Sequence, residues 1–236
     1  MTSGLRRRTS PSLALPALFL LIGACGSPHQ APPVAPLTPS PVASGPASPP
    51  ASPPASPPAS PSPSPAQGPV LVGPAPADLH DVDWANTPVP GGFCDVPGLV
   101  SPAPGGSTAT SRRWGTVRVG RGIEVLYGDT DGDGNDEAAV YMGCSDQAKM
   151  NAQLVAAYVV FTRKGDSLAA IGTITPRRKS DEYITALAGL EFAPGRITAH
   201  EKWYRQTDAH CCPSGNADTV WTREGDSLTP GAPRVL

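Results

Sequence analysis

The sequence predicts a small all-β domain in its C-terminal part, with a long proline-rich tether in front of it. Residues 115–236 read as short apolar runs separated by Gly, Asp and Pro turn signals, which is typical of antiparallel sheets. Residues 26–77 contain nineteen prolines and no Asp, Glu, Lys or Arg, so they lack the composition of a packed core. We therefore expect an antiparallel, disulfide-bonded β domain over residues 79–236. An α+β fold with one short helix is the alternative.

The first 24 residues are predicted to form a signal peptide. Three arginines at positions 6–8 precede an apolar run at residues 13–24, which is too short to span a bilayer as a stable helix. Residues 22–25 read IGAC, and this ending resembles a bacterial lipobox, in which the cysteine becomes the lipid-carrying N-terminus. The resemblance implies that lipid such as palmitate on Cys25 anchors the protein to the extracytoplasmic side of the cell membrane. An ordinary secretory signal with an incidental cysteine is the alternative.

Segment 25–78 is predicted to be a disordered, low-complexity tether. The tetrad ASPP occurs three times in succession from Ala47 to Pro58. An extended polyproline chain rises about 3.1 Å per residue, so the reach of this segment has an upper bound of about 160 Å. Such a length suits a spacer between a membrane and a folded domain, and glycosylation of its Ser-Pro and Thr-Pro sites remains open.

Four cysteines remain after Cys25, and an even number in an exported domain predicts two disulfides. Three pairings of Cys94, Cys144, Cys211 and Cys212 are possible. Because a bond between adjacent cysteines strains the peptide, we expect Cys94 and Cys144 each to pair with one of the adjacent two. The alternative is a metal site built from His200, His210, Cys211 and Cys212, which needs thiolates that an oxidising compartment rarely leaves free.

The β domain is predicted to consist mainly of hairpins. Residues 162–168 and 222–228 read TRKGDSL and TREGDSL, and both contain a Gly-Asp turn between two strands. A single short helix is predicted over residues 146–153, with Asp146 as a possible N-cap. The predicted strands are 122–128, 137–143, 154–163, 167–175, 183–193, 196–204 and 217–223, with a short final strand after residue 226.

An acidic loop between two predicted strands has the spacing of a calcium-binding loop. Residues 129–137 read DTDGDGNDE, which places carboxylates at loop positions 1, 3, 5 and 9 and a turn-forming glycine at position 6. Position 12 is Val140, so the bidentate glutamate of an EF-hand is missing. The loop instead resembles the calcium-binding hairpins of FG-GAP and VCBS-type repeats, although it occurs once. That resemblance implies a structural Ca²⁺ held by Asp129, Asp131, Asp133, Asn135 and Glu137. An acidic, Gly-rich hairpin turn without an ion is the alternative, because Asp and Gly are favoured in turns.

A second resemblance covers most of residues 81–223. The order DWANTPVP, YGDTDGDGNDEAAVYMGC and HCCPSGNADTVW is similar to a set of secreted actinobacterial lipoproteins with a GDxxGDGxxEA loop and a late CCPS segment. A weaker similarity links the chain to the mycobacterial LppP/LprE lipoproteins. Neither resemblance implies a particular biochemical activity.

The sequence predicts a surface module without catalytic activity. Residues 79–236 hold fifteen Lys and Arg against nineteen Asp and Glu, and with no basic stripe we expect no nucleic-acid partner. We expect a monomer that binds an envelope protein, a glycan or a wall component. The candidate binding side chains are aromatic, and core positions account for at least half of them: Trp84, Trp114, Trp203, Tyr204 and Trp221.

Two other functions remain open in the sequence. One is a purely structural role in the cell envelope. The other is hydrolysis of cell-wall or ester bonds by paired carboxylates, which do acid–base work when their surroundings separate their pKa values. The residues available for that chemistry are Asp181, Glu182, Glu191, His200 and Glu201.

Overall fold

The computed structural model describes residues 68–101, 103–147, 152–180 and 183–236. Within these ranges the chain forms thirteen strands and two 3-10 helices, Leu79–Asp81 and Gly91–Cys94, which confirms the predicted all-β fold. No helix in the described part is long and apolar enough to cross a membrane. The strands are β1 (Val70–Pro74), β2 (Val89–Pro90), β3 (Leu99–Val100), β4 (Ser107–Ser111), β5 (Gly115–Gly128), β6 (Glu137–Asp146), β7 (Gln153–Lys164), β8 (Ser167–Ile174), β9 (Ala186–Ala193), β10 (Arg196–Trp203), β11 (Gly215–Glu224), β12 (Ser227–Pro230) and β13 (Arg234–Val235).

The predicted signal peptide, Cys25 and residues 25–67 of the predicted tether lie outside the described residues. The folded domain begins earlier than the expected boundary at residue 79. Strand β1 pairs antiparallel with β8, from Val70 opposite Ala170 to Pro74 opposite Ser167. The apolar stretch VLVG supplies this edge strand although it lies in the proline-rich composition that predicted a tether.

The ends of the predicted short helix belong to strands. Asp146 is the last residue of β6, where its N–H donates to the carbonyl of Ala152, and Gln153 is the first residue of β7. Residues 148–151 lie outside the described part. Pairing of β6 with β7 across this connection overrides the local N-cap signal, because a ladder extends from Ala138 opposite Phe161 to Ser145 opposite Gln153.

The larger sheet contains six antiparallel strands in the order β1-β8-β7-β6-β5-β4. Strands β6 and β7 lie at its centre, and β7 is buried almost without interruption from Ala156 to Thr162. A strand that is apolar on successive residues needs cover on both faces. The two hydrophobic clusters of the domain provide that cover, because residues of β6 alternate between them: Ala138 and Val140 face one cluster, and Ala139 faces the other.

The smaller sheet packs on one face of the larger one. Its strands follow the order β12-β11-β10-β9, and β13 pairs with β11. Burial in β10 alternates strictly, with Ile197, Ala199 and Glu201 inward, so this sheet has one buried and one solvated face. Ile197 and Trp221 pack into the same cluster as Tyr158 and Ile171 of the larger sheet, and that cluster forms the interior of a β sandwich.

The segment before β4 covers the outer face of the larger sheet. Leu79, Trp84 and Val89 from this segment join a cluster with Val140 and Phe161. The central strands of the larger sheet therefore lie between two layers, the smaller sheet on one face and the N-terminal segment on the other.

The cysteine pairing differs from the expected one. Cys94 pairs with Cys144, with their Cα atoms 5.7 Å apart, and Cys211 pairs with its neighbour Cys212. Cys94 and Cys144 are fully buried between the N-terminal segment and β6, whereas the adjacent cysteines lie on the exposed connection between β10 and β11. The larger sheet therefore separates the two pairs. A cross-link over 50 residues stabilises by about 4 kcal/mol in the chain-entropy estimate.

The hairpins place two groups of loops at opposite ends of the sandwich. One group, here called the acidic end, comprises residues 129–136, 165–166, 194–195 and 225–226. The other group, here called the basic end, comprises residues 112–114, 175–180, 183–185 and 204–214. Because strands β5 to β11 are antiparallel, each connection returns the chain to one of these two ends.

Candidate functional site

The acidic loop closes on itself through the Asp129 carboxylate. Asp129 Oδ1 accepts the backbone N–H of Gly132 at 2.7 Å, and Oδ2 accepts that of Gly134 at 3.0 Å. Both glycines have positive φ, 80° and 85°, which is a conformation that side chains rarely permit. The two N–H groups hold the pKa of the Asp129 carboxyl below its usual value, and the N–H of Asn135 does the same for Asp133.

Glu137 is the buried anchor of the loop. It is the first residue of β6 and is only 3 % exposed. One of its oxygens accepts the N–H of Thr130 at 2.7 Å and the hydroxyl of the same threonine at 2.5 Å. The other oxygen accepts the hydroxyl of Thr162 at 2.9 Å. The carboxylate is therefore well supplied with donors, but its charge requires a cation in the same place.

Arg223 provides that cation from the smaller sheet. Its guanidinium donates to Glu137 Oε2 at 2.8 Å and to Asp131 Oδ2 at 2.8 Å, and its side chain is only 6 % exposed. A third contact, at 2.6 Å, joins the guanidinium to the hydroxyl of Thr130. The planar fork of an arginine suits such a bridge between two carboxylates. Arg223 thus joins the acidic loop of the larger sheet to β11 of the smaller one.

The predicted calcium ligands are brought together in part. Asp129, Asp131 and Glu137 each offer an oxygen, and these three atoms lie within 4.8 Å of one another. Calcium needs about six to eight oxygens, and the Asp133 carboxylate is turned to the N–H of Asn135 at 2.8 Å. The guanidinium of Arg223 already lies against two of the three grouped carboxylates. The arrangement does not fit the full predicted ligand set, because Asp133 lies outside the group and Arg223 already contacts two of the three grouped carboxylates.

The direction of its pKa shift sets Asp131 apart from Asp129 and Asp133. Partial burial raises the pKa of the Asp131 carboxyl, and the charge of Glu137 raises it further, whereas Arg223 acts in the opposite direction. One guanidinium therefore offsets only part of the repulsion between these two carboxylates. At Asp129 and Asp133, backbone N–H groups stabilise the charged forms and lower the pKa.

A polar cavity of about 410 Å³ lies beside the acidic loop, between it and the first 3-10 helix. His80 Nε2 lies 3.1 Å from Asp136 Oδ2, and the His80 ring stacks on Tyr127 with centroids 3.8 Å apart. Asp78 and Asp166 also line the cavity. These contacts fix the 3-10 helix against the loop, and the walls are predominantly acidic.

A second buried glutamate organises the basic end. Glu201 on β10 is 1 % exposed, and its carboxylate accepts the backbone N–H of Arg177 at 3.0 Å and that of Arg178 at 2.7 Å. The hydroxyl of Thr219 donates to it at 2.7 Å. Thr185 also donates to the carbonyl of Arg178 at 2.7 Å. These bonds fix the backbone of the sequence PRRK at residues 176–179.

The aromatic side chains of the basic end carry arginines on their faces. The Arg178 guanidinium lies 4.2 Å from the centroid of Trp203, and that of Arg205 lies 5.7 Å from the same ring. Arg113 lies 4.9 Å from the centroid of Trp114. These distances are in the range of cation–π contacts.

Two of the five candidate aromatic residues lie in the core, and three lie at the surface. Trp84 and Trp221 are 7 % and 5 % exposed and belong to the two hydrophobic clusters. Trp114, Trp203 and Tyr204 are half-buried at the basic end. The sequence therefore identified the surface aromatic residues as candidates, but not the arginines stacked on them.

The connection between β10 and β11 carries the adjacent cysteines. The Asp208 carboxylate accepts the N–H groups of Ser214 and Arg205, and these bonds lower the pKa of Asp208. The hydroxyl of Tyr204 donates to the carbonyl of His210 at 2.8 Å. His210 contacts Tyr183 and the cysteines bond to each other, so the described residues do not assemble the alternative His/Cys metal site.

The smaller sheet separates Glu201 from His200, two of the residues suggested for hydrolysis. Glu201 points inward on β10, and its neighbour His200 points outward, where Nδ1 lies 2.8 Å from Asp218. The hydrogen bond from His200 lowers the pKa of the Asp218 carboxyl. Glu191 is exposed on β9. Asp181 and Glu182 lie outside the described residues.

Comparison with protein-family models, with curated proteins and with solved structures finds no match for this chain. The resemblances to secreted lipoproteins and to FG-GAP or VCBS-type loops therefore stay predictions.

Proposed function

We propose that the protein is a lipid-anchored module that presents its β sandwich on the extracytoplasmic side of a bacterial membrane. The observation that carries this proposal is the pairing of all four cysteines of the domain at disulfide distance. Structural disulfides belong to oxidising compartments. The basic and apolar leader ending in Cys25 supplies the route to such a compartment and the point of lipid attachment.

The function that this geometry supports best is binding at the cell envelope. Polar and aromatic groups concentrate on loops at the two ends of a rigid sandwich, which is where binding residues usually lie. Two of the residues suggested for hydrolysis make structural contacts: Glu201 fixes a loop, and His200 is paired with Asp218. A binding or structural module therefore accounts for more of the described side chains than a hydrolase does.

The test of anchoring uses the full chain, expressed with its own leader in a bacterium and labelled with an alkyne analogue of palmitate. We expect the wild type in the membrane fraction with the label attached, and Cys25→Ala in the soluble or secreted fraction without label. Ser27→Ala, two residues away, serves as the control and should behave as the wild type. Labelling of Cys25→Ala at the wild-type level would contradict the proposal.

A separate measurement addresses hydrolysis. We expect the purified protein to show no turnover of peptidoglycan or of ester substrates above the level of heat-denatured protein. Turnover that disappears in His200→Gln or Glu191→Gln would instead support the hydrolase.

A further inference from the structure

We propose that the basic end is a docking surface for an anionic polysaccharide. This inference rests on the proposed function, because it names the partner of the envelope module. It requires three properties that the described residues provide at this end: positive charge without a partner, aromatic rings at the surface, and a fixed backbone.

The positive charges converge from three separate segments. Arg113 lies between β4 and β5, Arg178 and Lys179 lie on the connection from β8 to β9, and Arg205 follows β10. None of these four side chains forms a close ion pair with a carboxylate of the described residues, although the charge of Arg205 acts on the nearby Asp208 carboxyl and lowers its pKa. By contrast, Arg223 at the acidic end pairs with two carboxylates.

Stacking prepares the arginines for recognition of an anion. Trp203 carries Arg178 on its ring, and the close approach of Gly215 to the same indole restricts its movement. An arginine that stacks through its flat face keeps the N–H edge available for a carboxylate, sulfate or phosphate group. Three buried side-chain nitrogens of the described chain lack a hydrogen-bond partner: Arg178 Nε and Trp203 Nε1 at this end, and Trp221 Nε1 in the core.

The backbone that carries these charges is fixed before a ligand binds. Glu201 receives the N–H groups of Arg177 and Arg178, and Thr185 donates to the carbonyl of Arg178. Ser180 adds a contact to the carbonyl of Tyr204 at 3.4 Å. A ligand therefore meets a surface whose main chain is already ordered, which reduces the entropic cost of binding.

The shape of the surface suits an extended sugar chain. Two cavities of about 370 and 590 Å³ adjoin each other at this end, where both are lined by Arg178, Lys179 and Ser180. The walls include the half-buried rings of Trp114 and Trp203. The guanidinium groups stacked on these rings, together with Lys179, place several cations beside the two cavities, which suits the repeated anionic groups of a charged polysaccharide.

A lipid bilayer fits this end less well. Insertion into a bilayer requires large apolar side chains that protrude from the surface. Among the exposed large apolar side chains of the described chain, Ile184 is the one at the basic end, with 36 % exposure. The balance of cations and half-buried aromatic rings favours a charged polysaccharide.

The test measures binding of the full chain to dextran sulfate and to polygalacturonate at low ionic strength. Unmodified dextran has the same sugar backbone without charge, and polyglutamate has charge without sugar. We expect both anionic glycans to bind more tightly than either control polymer. Lys179→Gln with Arg205→Gln, two exposed positions, should weaken glycan binding by about tenfold because two charge-assisted contacts are lost. Arg163→Gln with Arg196→Gln removes the same charge from the acidic end and should leave binding unchanged.

Several results would overturn the inference. One is failure of both anionic glycans to bind, and another is equal affinity for polyglutamate, which would reduce the surface to non-specific charge. Tighter binding to vesicles containing phosphatidylglycerol than to the glycans would assign this end to the membrane. Equal loss of binding in the two double variants would remove the site from the basic end. Lipid labelling of Cys25 is independent of all these results, so failure here leaves the anchored module standing.

Discussion

Two buried glutamates fix the loops at the two ends of the sandwich, and they do so in opposite ways. Glu137 belongs to an acidic loop and is bridged by a guanidinium from the other sheet. Glu201 holds a basic loop, and it accepts backbone N–H groups and a threonine hydroxyl without an ion pair to a described cation. One carboxylate is thus neutralised by a side chain, and the other is stabilised by dipoles.

The difference determines which charges remain free. At the acidic end, Arg223 is ion-paired with two carboxylates, and its side chain is almost completely buried. At the basic end, Glu201 binds the main chain of Arg177 and Arg178 and leaves their side chains to the surface. A carboxylate that binds backbone amides can therefore fix a cationic loop without neutralising it. The acidic end therefore serves to connect the two sheets, and the basic end is the better candidate for binding.

The largest effect is expected for Arg223→Gln. This change leaves Glu137 buried without its cation and leaves Asp131 beside it, and loss of one partner of a buried ion pair costs about 3–5 kcal/mol. We expect the free energy of unfolding in urea to fall by that amount. Because the guanidinium connects β11 to the acidic loop, the amide hydrogens of that loop should also exchange faster.

The second TRxGDSL segment of the sequence, residues 162–168, supplies a matched control for this variant. Arg163 occupies the position of Arg223 in the other TRxGDSL hairpin, but it is exposed and lies 3.6 Å from Asp166. Arg163→Gln should cost less than about 1 kcal/mol, as is usual for surface pairs. Adding Glu137→Gln to Arg223→Gln should recover part of the lost stability, because the unpaired buried charge is removed. Equal costs for the two arginine variants would show that the buried bridge does not join the sheets.

A smaller effect is expected for Glu201→Gln. The amide replaces one accepting oxygen with an N–H₂ group that faces backbone donors, which costs about 1–3 kcal/mol. We expect this loss of stability together with faster hydrogen exchange at the amides of Arg177 and Arg178. Glu191→Gln, an exposed change in the same sheet, should alter neither quantity. Unchanged exchange at the two amides would mean that Glu201 does not hold the basic loop.

Much of the fold was predictable from the sequence because the deciding signals are local. Apolar runs and Gly-Asp turns lie within a few residues of each other, and the predicted strand 196–204 matches β10 to within one residue. Strand β5 extends back to Gly115 because it pairs with β4, and the predicted strand began at residue 122. The ends of the predicted short helix, Asp146 and Gln153, belong to strands because pairing of β6 with β7 is a tertiary effect.

The site was less predictable because its partners are distant in the sequence. Arg223 follows Glu137 by 86 positions, and nothing in TREGDSL distinguishes a buried arginine from the exposed one in TRKGDSL. The basic end also combines three segments, so the absence of a basic stripe in the sequence did not exclude a basic cluster. The pairing of Cys211 with Cys212 was not predictable from local strain alone. The larger sheet separates Cys94 and Cys144 from these two cysteines, and that separation is a tertiary feature.

The smallest effect is expected for added calcium. The measurement tests whether Arg223 or Ca²⁺ neutralises the carboxylates of the acidic loop. With Arg223 between Asp131 and Glu137, we expect a dissociation constant above about 1 mM, so millimolar Ca²⁺ should add less than about 0.4 kcal/mol to the stability of the wild type. EDTA should leave the melting temperature unchanged. In Arg223→Gln the same carboxylates lose their counter-charge, so Ca²⁺ should then raise the melting temperature clearly.

Asp131→Ala, added to Arg223→Gln, should abolish the response to Ca²⁺, because it removes one of the three grouped oxygens. A response to Ca²⁺ in the wild type would instead support the calcium-binding loop that the sequence predicts. If Ca²⁺ stabilises the wild type, EDTA reverses the effect and Asp131→Ala removes it, then the ion and the guanidinium occupy the loop together. In that case the four carboxylates of the predicted ligand set face two cations, Ca²⁺ and Arg223, and Arg223 contributes to a calcium site.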